Sequence, residues 1–280
     1  MRNPVLAVLS SPFLATVALS WAWASAAAVP QDADSTSTLS TPTLSDAGTP
    51  VVLELFTSQG CSSCPPADLV LSRLGFDEGT RAKVVPLAFH VDYWNRIGWT
   101  DPFSAPEWSA RQDAYSRALG VDGVYTPQLV VNGRAQLNGG QEERARAEIK
   151  ADLESPPAAT LRLATRDGGG ARPTLTVDVT AEMTESVRAG KLQLVVAVFE
   201  NGLVTSVERG ENGGRTLRND FIVRRLETGF SLEPKAGARR QTVLTLKLDP
   251  AWKLPNLGVA AFLQDPRSMR IYGAAVQPLL

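Results

Sequence analysis

From Val51 to about Leu153 the chain alternates between short apolar runs and stretches with helical spacing. Apolar runs rich in β-branched and aromatic residues predict three buried strands, at 51–56, 84–89 and 128–131. Apolar residues at helical spacing predict three helices, at about 65–75, 104–120 and 141–153. The pair Asn132-Gly133 predicts a hairpin whose return strand is 135–137. This order of elements implies a parallel sheet core with an antiparallel edge.

Proline, glycine and capping residues mark the ends of these helices. Pro65 and Pro66 fit a first helical turn, because the N–H groups there have no intrahelical acceptor. Ser104 and Glu107 have the spacing of a capping box for the second helix, which should end at Gly120.

The pattern changes after Ser155-Pro156-Pro157. Apolar and polar residues then alternate with period two, around 175–179, 192–198 and 244–248, with Gly-rich or Pro-rich turns between them. Several short alternating strands predict an all-β, sandwich-like domain. We therefore predict an α/β domain at 50–154 and a β-rich domain at 158–280.

The N-terminal residues differ in sequence pattern from both predicted domains. Arg2, an apolar run and the small residues around 24–28 predict a secretory signal peptide at 1–28. An uncleaved membrane anchor is the alternative for so long an apolar run. Residues 29–49 are too polar to bury a core, so we expect a disordered linker. The mature protein is then expected to be exported, periplasmic or secreted, with no membrane span after cleavage.

The charge composition mainly excludes one class of partner. The 28 basic and 29 acidic side chains nearly cancel, so no nucleic-acid partner is expected. Five arginines do cluster in and after a Gly-rich segment, at Arg209, Arg215, Arg218, Arg224 and Arg225. No phosphate-loop pattern accompanies them, and we interpret the segment as a solvated hairpin.

The two cysteines carry the most specific chemistry. Cys61 and Cys64 form a C-x-x-C pair between a predicted strand and a predicted helix. At that position free N–H groups and the helix dipole stabilise a thiolate. Cys61 is the expected nucleophile, and Cys64 would resolve the mixed disulfide. A purely structural disulfide remains an alternative, although so short a loop gives little stabilisation.

A metal centre is the other alternative for this pair. The chain contains a single histidine, His90, which with Cys61 and Cys64 could bind copper, since thiolates suit Cu(I). A lone histidine at a strand end is more often structural. No cofactor is otherwise expected.

Three stretches give the first domain a family resemblance: 54–67 (ELFTSQGCSSCPPA), 90–94 (HVDYW) and 125–128 (YTPQ). The domain resembles the thioredoxin superfamily, and more closely an uncharacterised family of exported bacterial proteins, catalogued as a domain of unknown function. The resemblance extends into the second domain. It implies a thioredoxin-like fold at 50–154 and a bacterial, periplasmic setting, but no substrate.

The resemblance also assigns roles to other residues. In thioredoxin folds a cis-proline faces the C-x-x-C, and the residue before it hydrogen-bonds an extended substrate; here these are Pro127 and Thr126. A buried acid on the preceding strand often accepts the proton of the resolving cysteine. Glu54 matches that acid only with a one-residue insertion before Cys61, and a solvent-facing glutamate is the alternative.

The leading hypothesis is an exported thiol–disulfide oxidoreductase with protein thiols or disulfides as substrates. A copper-binding chaperone that uses Cys61, Cys64 and His90 is one alternative. A binding module that keeps the fold without catalysis is another. The sequence leaves open the direction of the redox reaction, the substrate and the oligomeric state.

Overall fold

The computed structural model describes residues 49–168 and 173–279. The predicted signal peptide at 1–28 and all of the predicted linker except Thr49 lie outside the described residues. Of the helices in these two ranges, none is long and apolar enough to cross a membrane.

The first half follows the predicted order of strands and helices. Its elements are β1 (Val51–Thr57), α1 (Cys64–Phe76), β2 (Val84–His90), α2 (Pro106–Leu119), β3 (Gln128–Val131), β4 (Ala135–Asn138) and α3 (Glu142–Leu153). Every residue of β1 and β2 is buried, as their continuous apolar runs predict. Asn132 and Gly133 form the predicted turn between β3 and β4, both with positive φ.

The start of α2 differs from the prediction. The helix begins at Pro106, and its N-cap is Ala105 in an extended conformation, without a side-chain cap. Ser104 does not cap the helix because its hydroxyl is used locally: it donates to the Asp101 carbonyl at 2.8 Å and accepts from Asn95 at 3.0 Å. The helix ends before Gly120, as predicted, where φ is 64°.

The second half is formed by strands. They are β5 (Ala159–Asp167), β6 (Thr174–Met183), β7 (Leu192–Glu200), β8 (Leu203–Ser206), β9 (Thr216–Asn219), β10 (Ile222–Leu232), β11 (Arg239–Lys247), β12 (Leu257–Gln264) and β13 (Ile271–Pro278). In β6 buried residues alternate with more exposed ones, which matches the period-two pattern of its sequence.

One mixed sheet runs through both halves. It has eight strands in the order β13-β12-β7-β10-β2-β1-β3-β4. β1 is parallel to β2 and antiparallel to β3. The junction between the halves is the parallel contact of β10 with β2, in register at Ile222 and Ala88. The strands β11-β6-β5 form a separate three-stranded sheet, and β8-β9 a two-stranded one.

β7 separates two apolar cores. Val195, Ala197 and Phe199 belong to the core that contains β1, α1 and β2. Val196 and Val198, which alternate with them, belong to the core that contains β6 and β12. A strand whose alternate residues enter different cores is apolar on both faces. The protein is therefore mixed α/β, with a large mixed sheet and an additional β-rich region.

Candidate functional site

The two cysteines lie between β1 and α1. A turn at Gln59-Gly60 ends the β1 segment, and Cys64 is the first residue of α1. Cys61 and Cys64 form a disulfide, with their Cα atoms 5.4 Å apart. Both side chains have 0 % relative exposure, although Ser62 and Ser63 between them are exposed.

Trp94 connects this turn to the predicted proline site. The Thr126–Pro127 peptide bond is cis, as predicted. The Trp94 indole N–H donates to Thr126 Oγ1 at 2.8 Å. The same Trp94 lies beside Gly60, where an added Cβ would meet the Trp94 Cβ at 3.1 Å. One side chain thus spans from the cysteine turn to the residue before Pro127.

Asp68 is a buried acid on the cysteine helix. It lies four residues after Cys64, a spacing that places two side chains on the same face of a helix. Its carboxylate accepts hydrogen bonds from Thr57 Oγ1 at 2.8 Å and from Asn219 Nδ2 at 3.2 Å. Burial raises the pKa of Asp68 to about 6, despite the opposing effect of the nearby His90 charge and of these donors.

His90 forms a buried pair with Asp101. The His90 Nδ1 and Asp101 Oδ2 atoms are 2.7 Å apart, and both side chains are fully buried. Burial alone would lower the pKa of His90, but the charge of Asp101 and its hydrogen bond raise it above the ordinary value. The same Asp101 oxygen accepts the Gln59 N–H at 2.7 Å. The His90–Asp101 pair therefore fixes the turn that leads to Cys61.

Residues of the second half complete the site. Gln59 Nε2 donates to Thr205 Oγ1 and to Asn219 Oδ1, each at 3.0 Å. Asn212 Nδ2 donates to the carbonyls of Gln59 and Cys61, each at 2.9 Å. The Gly-rich segment around Asn212, interpreted from the sequence as a solvated hairpin, does connect the hairpin strands β8 and β9. It is nevertheless bound to the cysteine turn, and Asn212 is fully buried.

Glu54 lies elsewhere. Side chains alternate along β1, so Glu54 and Thr57 point to opposite faces of the sheet. Thr57 meets Asp68 of the cysteine helix, whereas Glu54 is paired with Arg111 of α2 at 2.5 Å and also accepts the Tyr115 hydroxyl. Of the two interpretations of Glu54, the structure has the buried one and not the solvent-facing one, but the buried acid on the cysteine side of the sheet is Asp68.

The metal alternative finds no geometric support in the described residues. Within 49–168 and 173–279, no three His, Cys, Asp or Glu side chains are placed to hold one metal ion. The Nδ1 atom of His90 is paired with Asp101, and the two cysteines are bonded to each other.

Sequence reasoning missed Asp68, Asp101 and Asn212. The spacing of Asp68 from Cys64 was a visible signal, because i and i+4 residues share a helix face. Asp101 lies in a loop, where the sequence has no periodicity that could indicate which side chains are buried. Asn212 lies 151 residues from the Cys61 carbonyl that it binds, and no local pattern reports such a contact.

These features define a mixed α/β protein with a buried disulfide at the start of a helix. The profile of one family, described as "Protein of unknown function (DUF1223)", matches residues 52–264, and the chain belongs to that family. A search of curated proteins finds no match.

Two solved structures are similar over most of the chain. Protein AGR_C_4864 from Agrobacterium tumefaciens is 29% identical, with a TM-score of 0.60, over 83% of this chain and 96% of that one. HBP35 of Porphyromonas gingivalis is 19% identical, with a TM-score of 0.62, over 83% of this chain and 76% of that one. The second likeness concerns the fold alone.

Proposed function

We propose that the protein is a thiol–disulfide oxidoreductase with Cys61 and Cys64 as its redox pair. The observation that carries the proposal is the joint placement of three features: a disulfide at the start of α1, the cis Thr126–Pro127 bond one side chain away, and buried Asp68 one turn along α1. We further propose that the first half is thioredoxin-like, as its motifs resemble that superfamily, and that the β-rich region is sandwich-like. Export to the periplasm or secretion follows from the predicted signal peptide.

The reaction is a pair of disulfide exchanges. In the reduced protein, the Cys61 thiolate attacks one sulfur of a substrate disulfide, forms a mixed disulfide and releases the other substrate sulfur as a thiolate. The Cys64 thiol then gives its proton to Asp68. The resulting thiolate attacks the Cys61 sulfur, and the second substrate thiolate leaves. The protein ends as the Cys61–Cys64 disulfide, and the two substrate thiolates become a dithiol by taking up the proton held by Asp68 and one from water; the reverse sequence oxidises a dithiol substrate.

Asp68 suits the proton-accepting role. A carboxyl with a pKa of about 6 is mostly ionised at neutral pH, yet it is a stronger base than an ordinary aspartate. Hydrogen bonds from Thr57 and Asn219 fix the orientation of the carboxylate. As in the fold that the first half resembles, Thr126 would bind an extended polypeptide substrate through its backbone.

The test uses two cysteine variants. With a fluorescent peptide disulfide as substrate, Cys64→Ser should accumulate a mixed disulfide at Cys61, and Cys61→Ser should accumulate none and lose turnover. The potential of the wild-type pair should lie between about −120 and −270 mV. Wild-type turnover in both variants, or a potential below about −300 mV, would overturn the proposal.

The complete burial of both cysteines favours a second candidate, a non-catalytic binding module with an inert disulfide. In that case Cys61→Ser changes stability but no exchange reaction. The mixed-disulfide trap separates the two functions directly, since an inert pair captures no substrate.

A further inference from the structure

A segment of the second half is hydrogen-bonded to the backbone of the turn that carries Cys61. We define the cap loop as residues 207–215, which join β8 to β9. Its Asn212 side chain is fully buried and holds the carbonyls of Gln59 and Cys61. Arg215 Nη1 in turn donates to Asn212 Oδ1 at 2.6 Å. The cap loop is thus fixed to the backbone on both sides of Gly60.

A second contact of the cap loop reaches the residue after Cys61. The Ser62 N–H donates to Glu211 Oε2 at 2.9 Å. Hydrogen bonds from Ser62 hold the pKa of Glu211 below its ordinary value, so this group is a carboxylate at neutral pH. A negative charge therefore lies next to the cysteine that must become a thiolate.

Two glycines shape the cap loop: one packs closely against a neighbouring segment, and both allow the backbone to change conformation. Gly210 fits against Trp99, where an added Cβ would lie 3.1 Å from the Trp99 Cβ. Gly210 and Gly214 both have positive φ, and an added Cβ at Gly214 would meet nothing within 4 Å. Glycine changes conformation at little steric cost, so the loop has pivot points on both sides of Glu211 and Asn212.

Burial of the disulfide conflicts with the chemistry proposed for it. Exchange requires a sulfur nucleophile to approach the disulfide along an accessible line, and neither sulfur has exposed surface. An external thiol can react only after some covering segment has moved. The cap loop is the candidate because it binds Gln59, Cys61 and Ser62 through side chains alone.

We propose that the cap loop, through Asn212 and Glu211, is a redox-coupled gate that closes over the Cys61–Cys64 disulfide and opens when the pair is reduced. This rests on the proposed function. The Cys61 thiolate and the Glu211 carboxylate are like charges on adjacent positions and disfavour each other. By reciprocity, a closed gate disfavours the thiolate and the thiolate disfavours the closed gate. The oxidised protein is then protected until the loop opens.

The first experiment measures access without any catalysis. The rate at which tris(2-carboxyethyl)phosphine reduces the disulfide is followed by thiol labelling in the full chain. In the wild type this rate should level off at high phosphine concentration, because loop opening limits it. Asn212→Ala should raise the limiting rate about tenfold, since two hydrogen bonds to backbone carbonyls are lost. Glu211→Ala should raise it as well.

Glu208→Ala is the matched control, because Glu208 is an exposed carboxylate of the same loop. It should leave the reduction rate unchanged. If Asn212→Ala does not fold, Glu211→Ala remains decisive, because the exposed Glu211 side chain supports no core. Reduction rates of Glu211→Ala and of folded Asn212→Ala that equal the wild-type rate would overturn the gate.

The second experiment tests the redox coupling. Hydrogen exchange of residues 207–215 and of the Ser62 amide should be faster in the reduced protein than in the oxidised one. Equal exchange in the two states would overturn the coupling. Neither measurement depends on turnover, so the gate can fail while the Cys64→Ser trap still succeeds, and the reverse also holds.

Discussion

The Asp101 carboxylate joins His90 to the turn that carries Cys61: one oxygen lies 2.7 Å from His90 Nδ1 and accepts the Gln59 N–H at the same distance. Both side chains are fully buried. Removing one partner of a buried ion pair is strongly destabilising, because the other charge is then left buried without the group that it was paired with. The geometry of the cysteine turn is therefore tied to a pair that tolerates little change.

Asp101→Asn should lower the free energy of unfolding by about 3–5 kcal/mol, since it removes the carboxylate that is paired directly with buried His90. Urea unfolding of the oxidised protein measures this. Glu148→Gln is the control, because Glu148 pairs with Arg134 where both side chains are partly exposed. That surface pair should contribute less than about 1 kcal/mol. Equal losses in both variants would contradict a special role for the buried pair.

Asp68 should make stability pH-dependent. Its pKa is about 6 in the folded protein against the reference value of 3.8, so the folded state binds more protons between these values. The free energy of unfolding therefore falls as pH rises through that window, in total by about 3 kcal/mol at roughly 1.36 kcal/mol per unit. Asp68→Asn should remove this component. The difference between wild type and variant, measured by urea unfolding at pH 4 and pH 7, reports it.

The control for that comparison is Asp122→Asn, an exposed aspartate. Its stability should follow the wild-type pH curve in parallel. If Asp68→Asn also ran parallel to the wild type, Asp68 would not titrate in this window.

Asp68→Asn should also slow the resolution of a mixed disulfide at Cys61. Loss of a general base costs about a hundredfold or more, so the release of substrate thiol at pH 7 should fall by at least that factor. The deficit should shrink at high pH, where hydroxide can take the place of the missing base. Single-turnover release over pH 6–10 tests this; equal rates at pH 7 would exclude Asp68 as the base.

Gly133→Ala should destabilise the hairpin between β3 and β4. An added Cβ would lie 1.9 Å from the Met269 carbonyl oxygen, in addition to the cost of φ at 63°. Gly123→Ala is a matched control, because Gly123 has φ at 74° and open space around it. The control should lose only about 1–2 kcal/mol, the conformational cost of a left-handed residue. Gly133→Ala should lose clearly more in thermal or urea unfolding.

Local patterns predicted the parts of the site that depend on local chemistry. The C-x-x-C at a helix start follows from a short stretch of sequence, the cis bond at Pro127 was implied by the family resemblance, and the structure has both. The sequence left open whether Glu54 is buried, and it could not show that Glu54 faces α2, because the face of a strand residue is known only once the covering helices are placed. The contact of Asn212 with Cys61 and the pairing of β10 with β2 depend on tertiary packing between distant segments, so composition and periodicity carry no trace of them.

The shared sheet makes the cysteine-bearing half depend on the second half of the chain. Residues 50–154 alone would expose the β2 edge that β10 covers, and exposed strand edges recruit other chains. They would also lose the packing of Phe221 beside Gly75 on α1. The cysteine-bearing half is therefore not expected to be stable by itself or fused to another protein, because one edge of its sheet would be exposed. Cys61 and Cys64 would keep their present surroundings only in a chain that retains both halves.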